Sequence, residues 1–312
     1  MDTGAVKNAI GKTTAFKRNK YIEWIYGYSF IAPLLIGVLV FFIGPILFTF
    51  YISLTDWTSL EPGSFVGFEN YIQAFKDKRL TRELTNTAVY TLGTVPTTLV
   101  LSLWIANALN KIVRGRSALT TIYFLPNVTM PTAVAMVWAW LLNSKYGIVN
   151  YLLGLVGLPG PVWIGDPRFI MPSIIIVSIW MGLGYNIIIL TAGLKNIPVS
   201  YYEACDMDGA SEWAKFTRIT LPLLSPHIFF LLVVSVIGAF KAFDVIFMLT
   251  VNQLTYGNLV EASRTMVYGI YEKAFSLYKM GYASTEAVFL FIIIAVVTAV
   301  QFTIQKRWVH YD

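Results

Sequence analysis

Charge is what this chain is short of. Only 13% of its 312 residues are Asp, Glu, Lys or Arg, roughly half the share a soluble domain carries. A large soluble core would need a charged shell that this chain cannot supply. Helices facing lipid have no use for charge, so the shortfall is the signature of a polytopic membrane protein. Cysteine is nearly absent as well: the single Cys205 excludes an intramolecular disulfide and a cysteine-rich metal site. Of the two histidines, His227 reads as a helix-end residue and His310 lies in the tail. No reactive pair, triad or metal-binding cluster is evident. A phosphate-binding loop, Gly-x-x-x-x-Gly-Lys-Ser/Thr, is also missing. The nearest fragment is Gly11-Lys12-Thr13, with Val6 where the first glycine should stand. The chain therefore has no evident means of using nucleotide by itself.

What the chain does have is apolar length. Hydrophobic residues make up 56% of it. Six segments, 28–52, 85–109, 119–142, 170–193, 226–250 and 283–304, are long enough to cross a hydrocarbon core of about 30 Å as helices. They are far longer than the roughly ten residues of a membrane β-strand, so the expected class is all-α with six transmembrane helices. Pro131, Pro172, Gly182 and Gly184 fall inside the third and fourth segments, where neighbours can satisfy freed backbone groups. The first run is too long for a signal peptide and follows a basic arm, 1–27. The remainder, 28–312, reads as one transmembrane domain.

Lys and Arg cluster in alternate loops. Thirteen lie on one side of the six-span arrangement, including Lys7, Lys12, Lys111, Arg114, Arg116, Lys195, Lys215 and Arg218, against nine on the other. The short-loop bias places both termini in the cytoplasm. The net charge of +6 then anchors the chain at a membrane surface and does not point to nucleic acid. The outer loops, Asp56 to Arg82 and Asn143 to Arg168, are rich in glycine, proline and aromatics and read as compact loops with short helices. Their tryptophans are expected to anchor and pack.

One polar stretch interrupts the apolar pattern on the cytoplasmic side. Within 196–222, residues 203–222 read EACDMDGASEWAKFTRITLP. Tyr201 through Met207 can form a short helix, with Pro198 and Ser200 as stop and cap signals. Gly209 allows a left-handed turn. Ser211 can cap a second short helix carrying Trp213, Phe216 and Ile219 on one face, and Pro222 gives a rigid lead into the fifth span. Glu203, Asp206 and Asp208 can pair with a partner's bases or with local Lys215 and Arg218. Such a hairpin either docks into a soluble partner or merely caps the bundle. Leading with acids favours a protein partner over a lipid surface.

Inside the spans, Lys241 and Asp244 lie three apart in the fifth, so they can share a helix face and pair, as cavity-lining groups or as a structural ion pair. Asn186 can bond a solute or a neighbouring helix. Tyr185, Asn186, Phe240, Lys241, Phe243 and Asp244, polar and aromatic groups of the inner spans, are the candidate pathway residues.

Glu203-Ala204-Cys205, Gly209 and Ile219-Thr220-Leu221-Pro222 resemble the Glu-Ala-Ala, three residues, Gly, then Ile-x-Leu-Pro pattern of the permease subunits of binding-protein-dependent bacterial ATP-binding-cassette importers. Cys205 stands where the second alanine is usual. Asp208-Gly209-Ala210 is typical of the sugar branch, on the maltose and glycerol-phosphate side. Phe65 to Tyr71, Asn86-Thr87 and Gly281-Tyr282-Ala283 extend the likeness over nearly the whole chain. The resemblance implies a type I importer permease fold in a bacterial inner membrane. It implies a second homologous permease, two ATPase subunits that carry ATP and Mg, and an extracellular or periplasmic solute-binding protein. It assigns coupling to the ATPase to Glu203, Ala204, Cys205, Asp208, Gly209, Leu221 and Pro222. A carbohydrate, as an oligosaccharide, is the expected solute, with glycerol phosphate, a polyol or another charged solute as the alternative. A self-sufficient channel or secondary transporter would call for internal repeats and a coupling-ion site, for which only Lys241 and Asp244 offer a hint. A membrane enzyme would need a reactive pair at one depth.

Overall fold

The computed structural model describes residues 3–58, 61, 63–112, 114–251 and 257–310, and among these the regular structure is helical, apart from one isolated bridge between Thr55 and Phe65. Five helices are long and apolar enough to cross a membrane: Tyr21–Ser53, Lys78–Asn110, Ile170–Asn196, Glu212–Thr250 and Met280–Gln305. They are the first, second, fourth, fifth and sixth spans. The third is a bent pair, Arg116–Val128 and Pro131–Leu141, meeting at 99°. A single straight crossing over 119–142 is therefore corrected. Pro131 opens the second half at its first turn, and Met130 before it is extended, as the residue preceding a proline tends to be. The basic arm runs without a break into the first span, in one helix over Thr3–Val38.

Two prolines leave a different mark. Pro45 and Pro222 each follow a five-residue π-helical turn, Leu39–Ile43 and Phe216–Thr220. Proline cannot donate to the carbonyl four residues back, and its ring crowds that carbonyl. Widening the preceding turn moves the last available donor one residue further back: Gly44 N–H reaches Leu39 O, and Leu221 N–H reaches Phe216 O. The helix continues instead of breaking.

The centre of the bundle is the packing of the second span on the fourth, with the third and fifth against them. Ile170, Ile174, Val177, Ile187 and Leu190 of the fourth span are buried, as are Val95, Ala106 and Leu109 of the second. Gly184 lets the third span approach closely: a Cβ there would lie 2.2 Å from Tyr123 O. Thr87, Thr94 and Thr98 return their hydroxyls to carbonyls four residues earlier at 2.6 to 2.7 Å, so these polar groups are satisfied inside an apolar environment.

Three of the family-like segments turn out to be latches at one end of the bundle. Asn86 Nδ2 donates to Glu261 O and Arg264 O, both at 2.9 Å, and Thr87 Oγ1 accepts from Met266 N–H at 3.0 Å. Asn70 Nδ2 donates to Ser53 O and Thr55 O, and Gly281 N–H to Trp57 O at 2.9 Å. At the same end Asp77 caps the second span, accepting from Arg79 N–H at 2.8 Å, and it also accepts from the Tyr282 hydroxyl at 2.8 Å. Burial works against its charge, but these two bonds and the nearby Lys273 and Arg79 charges outweigh it and hold the carboxyl below its usual range.

A carboxyl depressed in the folded state stabilises fully above its unfolded value, and that contribution fades as pH falls through the folded one. Asp77→Ala should therefore cost about 1 kcal/mol near neutrality. The difference from wild type should shrink below about pH 4, which thermal unfolding of the purified protein across pH would show. A difference that ignores pH would reject the charged cap.

Candidate functional site

Three places gather polar chemistry: the hairpin between the fourth and fifth spans, a cavity along the bundle, and a cluster of buried charge at the opposite end from the hairpin.

The hairpin begins with the helix Val199–Met207. Pro198, not Ser200, occupies the N-cap position, and no side chain caps it. The helix stops in a complete Schellman motif: Ala210 N–H donates to Cys205 O at 2.9 Å and Gly209 N–H to Asp206 O at 3.1 Å. Gly209 has φ +71°, yet a Cβ there would meet nothing within 4 Å. It is needed for its backbone conformation and not for room. Ser211 caps the second leg as expected, accepting from Ala214 N–H at 3.2 Å. That leg is not a separate short helix, however. Glu212–Lys215 continues through the π-helical turn into Leu221–Phe240, because the wide turn absorbs Pro222. The second half of the hairpin is thus the fifth span itself.

Local charges brace the hairpin. Lys215 pairs with Asp206 across the turn and with Glu212 at 2.9 Å, and Glu212 also reaches Lys111 at 2.6 Å in the loop after the second span. The Tyr202 hydroxyl and Thr220 Oγ1 join the two legs at 2.9 Å. Asp206 is therefore committed internally. Glu203 and Asp208 form no ion pair among the described residues and are exposed, beside Met207 at 90% exposure and Trp213 at 66%. Cys205 is half-buried. The exposed side combines acids with large apolar groups, which suits a protein partner.

Along the bundle, the second, third, fourth and fifth spans line an open cavity of about 280 Å³. Tyr185 and Asn186 line it together with Thr94, Thr98, Asn127 and Ser235. No charged side chain lines it. Asn186 is buried, and it lies ten residues before Asn196, where the fourth-span helix ends next to the hairpin.

The other four candidate pathway residues do not join this cavity. The fifth-span helix ends at Phe240, is interrupted at 241–243, and resumes at Asp244. Lys241 and Asp244 therefore do not share a helix face, and they form no ion pair among the described residues. Both are exposed, and Asp244 opens the following helix, where an acid favours the dipole. Phe243 instead stacks with Phe247 at 5.1 Å and Tyr271 at 5.0 Å. Phe240 packs at the edge of two apolar clusters.

The buried charge went unnoticed in the sequence. Lys273 Nζ donates to both oxygens of Glu83, at 3.0 and 2.9 Å, and to Glu286 at 2.9 Å. Lys273 is 3% exposed, Glu83 1% and Glu286 0%. Arg264, also buried, pairs with Glu272 at 3.0 Å beside them. Glu83 lies near the start of the second span, Glu286 near the start of the sixth, and Lys273 in a π-helical turn between the fifth and sixth. The ammonium pins a loop to two spans. Each residue alone reads as an ordinary boundary charge, and their separations of 190 and 13 positions conceal the cluster.

A binding-protein-dependent transport system inner membrane component is the family whose model matches residues 71–310, and the chain belongs to that family. It is a transport permease component of the inner membrane. The probable ABC transporter permease protein YesP of Bacillus subtilis is 32% identical, with 99% of this chain and 98% of that protein covered. The trehalose/maltose transport system permease protein MalF of Thermococcus litoralis is 35% identical over 74% of this chain and 79% of its own. The sn-glycerol-3-phosphate transport system permease protein UgpA of Agrobacterium fabrum is 30% identical, covering 92% and 97%. A chain of a bacterial alginate ABC transporter, solved in complex with an alginate pentasaccharide-bound periplasmic protein, superposes with a TM-score of 0.82. It is 22% identical, with 93% of this chain and 96% of that chain covered, and shares the fold.

Removing the Lys273 ammonium leaves two buried carboxylates facing each other. Lys273→Met should cost about 3–5 kcal/mol of stability, seen as a lowered thermal transition of the purified protein. Adding Glu83→Gln and Glu286→Gln should recover much of that loss. If the single variant unfolds as wild type does, the cluster carries no structural load.

Proposed function

We propose that this chain is one half of the solute pathway of an ATP-driven importer, taking a neutral carbohydrate from an external binding protein. The observation that carries the reading is the helix that joins cavity to hairpin. Asn186, on the cavity wall, and Asn196, at the foot of the hairpin, stand on the same unbroken fourth span, about 15 Å apart along its axis. The fifth span, which supplies Ser235 to the same cavity, is continuous with the other leg. A push on the hairpin is therefore a push on two walls of the cavity, the rigid-body element that alternating access needs.

The solute class follows from the lining. Amides and hydroxyls from four spans present donors and acceptors, and no fixed charge demands a counter-charge. That suits a polyhydroxylated, uncharged molecule better than a phosphate ester. Among the relatives, the trehalose/maltose permease supports this reading, while the glycerol-3-phosphate permease represents the charged alternative.

The partners follow from what the chain leaves exposed. Force must come from ATPase subunits that hold ATP and Mg, with Glu203, Ala204, Cys205, Asp208, Gly209, Leu221 and Pro222 forming or bracing the docking hairpin. A second permease covers the first span, whose most apolar window has no buried residue. A solute-binding protein docks at the opposite end, where a polar crevice of about 440 Å³ opens beside Trp57, Asn70, Asp77 and Arg79. Both termini and the hairpin face the cytoplasm.

Gly209 tests the coupling role. Only φ constrains it, so Gly209→Asn should keep most transport, while Gly209→Val should cost about 1–2 kcal/mol at the turn. In the assembled importer the valine variant should hydrolyse ATP with its response to loaded binding protein reduced at least fivefold, and uptake should fall in parallel. Equal uptake and equal stimulation in both variants would reject the hairpin as the coupling element.

A further inference from the structure

At the hairpin end of the bundle, a second cavity of about 420 Å³ lies between the start of the third span and the end of the fourth. It is separate from the cavity around Asn186 and shares none of its lining residues. Arg116 and Lys195 line it, with Ser117, Thr120, Thr121 and Thr191, and no acidic side chain is among the lining residues. Neither cation forms an ion pair among the described residues.

Three features make this an anion cradle. The helix Arg116–Val128 starts after Gly115, whose φ of +84° turns the chain sharply, and no side chain caps its first turn. Its leading N–H groups are thus left for an external acceptor, with the dipole favouring negative charge. Thr191 is the second feature. It is only 7% exposed, yet its Oγ1 is buried without a hydrogen-bond partner. Thr94, Thr98, Thr120 and Thr121 all return their hydroxyls to a carbonyl four residues earlier, whereas Thr191 does not. The third is Arg116, whose Nη2 is likewise buried and unpaired. Buried polar groups are seldom left unsatisfied, and here two of them line one basic cavity.

Within the cavity itself, Phe124, Ile188 and Ala192 form an apolar stripe beside the polar groups. We propose that the cavity binds the phosphate of an anionic phospholipid, held by the Arg116 guanidinium, the Lys195 ammonium, the Thr191 hydroxyl and the open helix start, with the acyl chains lying along the stripe. A guanidinium and backbone N–H groups together match the oxygens of a phosphate diester. The stripe favours a lipid over free phosphate, since a soluble anion has no use for it.

Native mass spectrometry of the assembled importer provides the test, with phosphatidylglycerol, diacylglycerol and inorganic phosphate as probes. Wild type should retain one phosphatidylglycerol more than Arg116→Gln/Lys195→Gln, whose affinity should fall at least tenfold. Diacylglycerol, which lacks the phosphate, should not be retained at this site. Millimolar inorganic phosphate should leave the bound lipid in place. Displacement by that phosphate would reassign the cradle to a soluble phosphate and overturn the lipid assignment. Equal retention by wild type and the double variant would overturn the site altogether. Thr191→Val, which keeps both cations and nearly the same shape, should lower affinity severalfold. It carries the test should the double variant fail to assemble, and unchanged retention in it would also count against the cradle.

Discussion

Every backbone N–H within a membrane must find a carbonyl, and this single demand shapes the molecule. Prolines violate it; Pro33, Pro96, Pro126 and Pro226 are carried inside helices, and three others are answered in two further ways. Before Pro45 and Pro222 the helix widens by one residue and carries on. At Pro131 it breaks and turns by 99°. The difference has mechanical meaning. A widened turn transmits force along the helix, while a break redirects the chain. Pro222 stands where the hairpin meets the fifth span, and there the chain keeps continuity.

The same demand explains the division of polar residues. Thr94 and Thr98 of the second span satisfy themselves through their own helix, so they can face a cavity without penalty. The ions at the far end have no such local solution. Glu83, Glu286 and Lys273 come from three separate elements and satisfy one another only when those elements are assembled. A buried ion cluster of this kind contributes little net stability compared with apolar packing, but it tolerates no partial assembly. It sits with the Asn86 and Asn70 latches, so the loops over that end are tied to the spans by directional bonds and not by apolar contact alone.

What could be read from the sequence was whatever is local. The Gly209 turn and the Ser211 cap depend on neighbouring residues, and the structure agrees with both; the apolar runs were legible too, but not the bend in the third or the reach of the first and fifth. Tyr185 and Asn186 were within reach because a polar amide deep in an apolar run has few other uses. Lys241 and Asp244 show the limit. Their spacing implies a shared face only if the helix is continuous, and the interruption after Phe240 removes that condition. The ion cluster and the Arg116 cradle were hidden for a different reason. Both are made by side chains distant in sequence, and each member in isolation is the expected basic or acidic residue at a membrane boundary.

The hairpin's fusion with the fifth span changes how coupling can work. A hairpin joined to the bundle by flexible linkers would absorb a push from outside. Here one leg follows the fourth span after a single extended residue pair, Ile197-Pro198, and the other is the fifth span itself. Lys215 and the Tyr202–Thr220 contact lock the legs together. The hairpin can therefore move only with both spans, and those spans carry Asn186 and Ser235 on facing walls of one cavity. Displacement of the hairpin must alter the cavity's shape, because packed helices shift as rigid units and do not deform continuously. The coupling proposed for this hairpin would need no relay of side chains, since the covalent helix itself would be the lever.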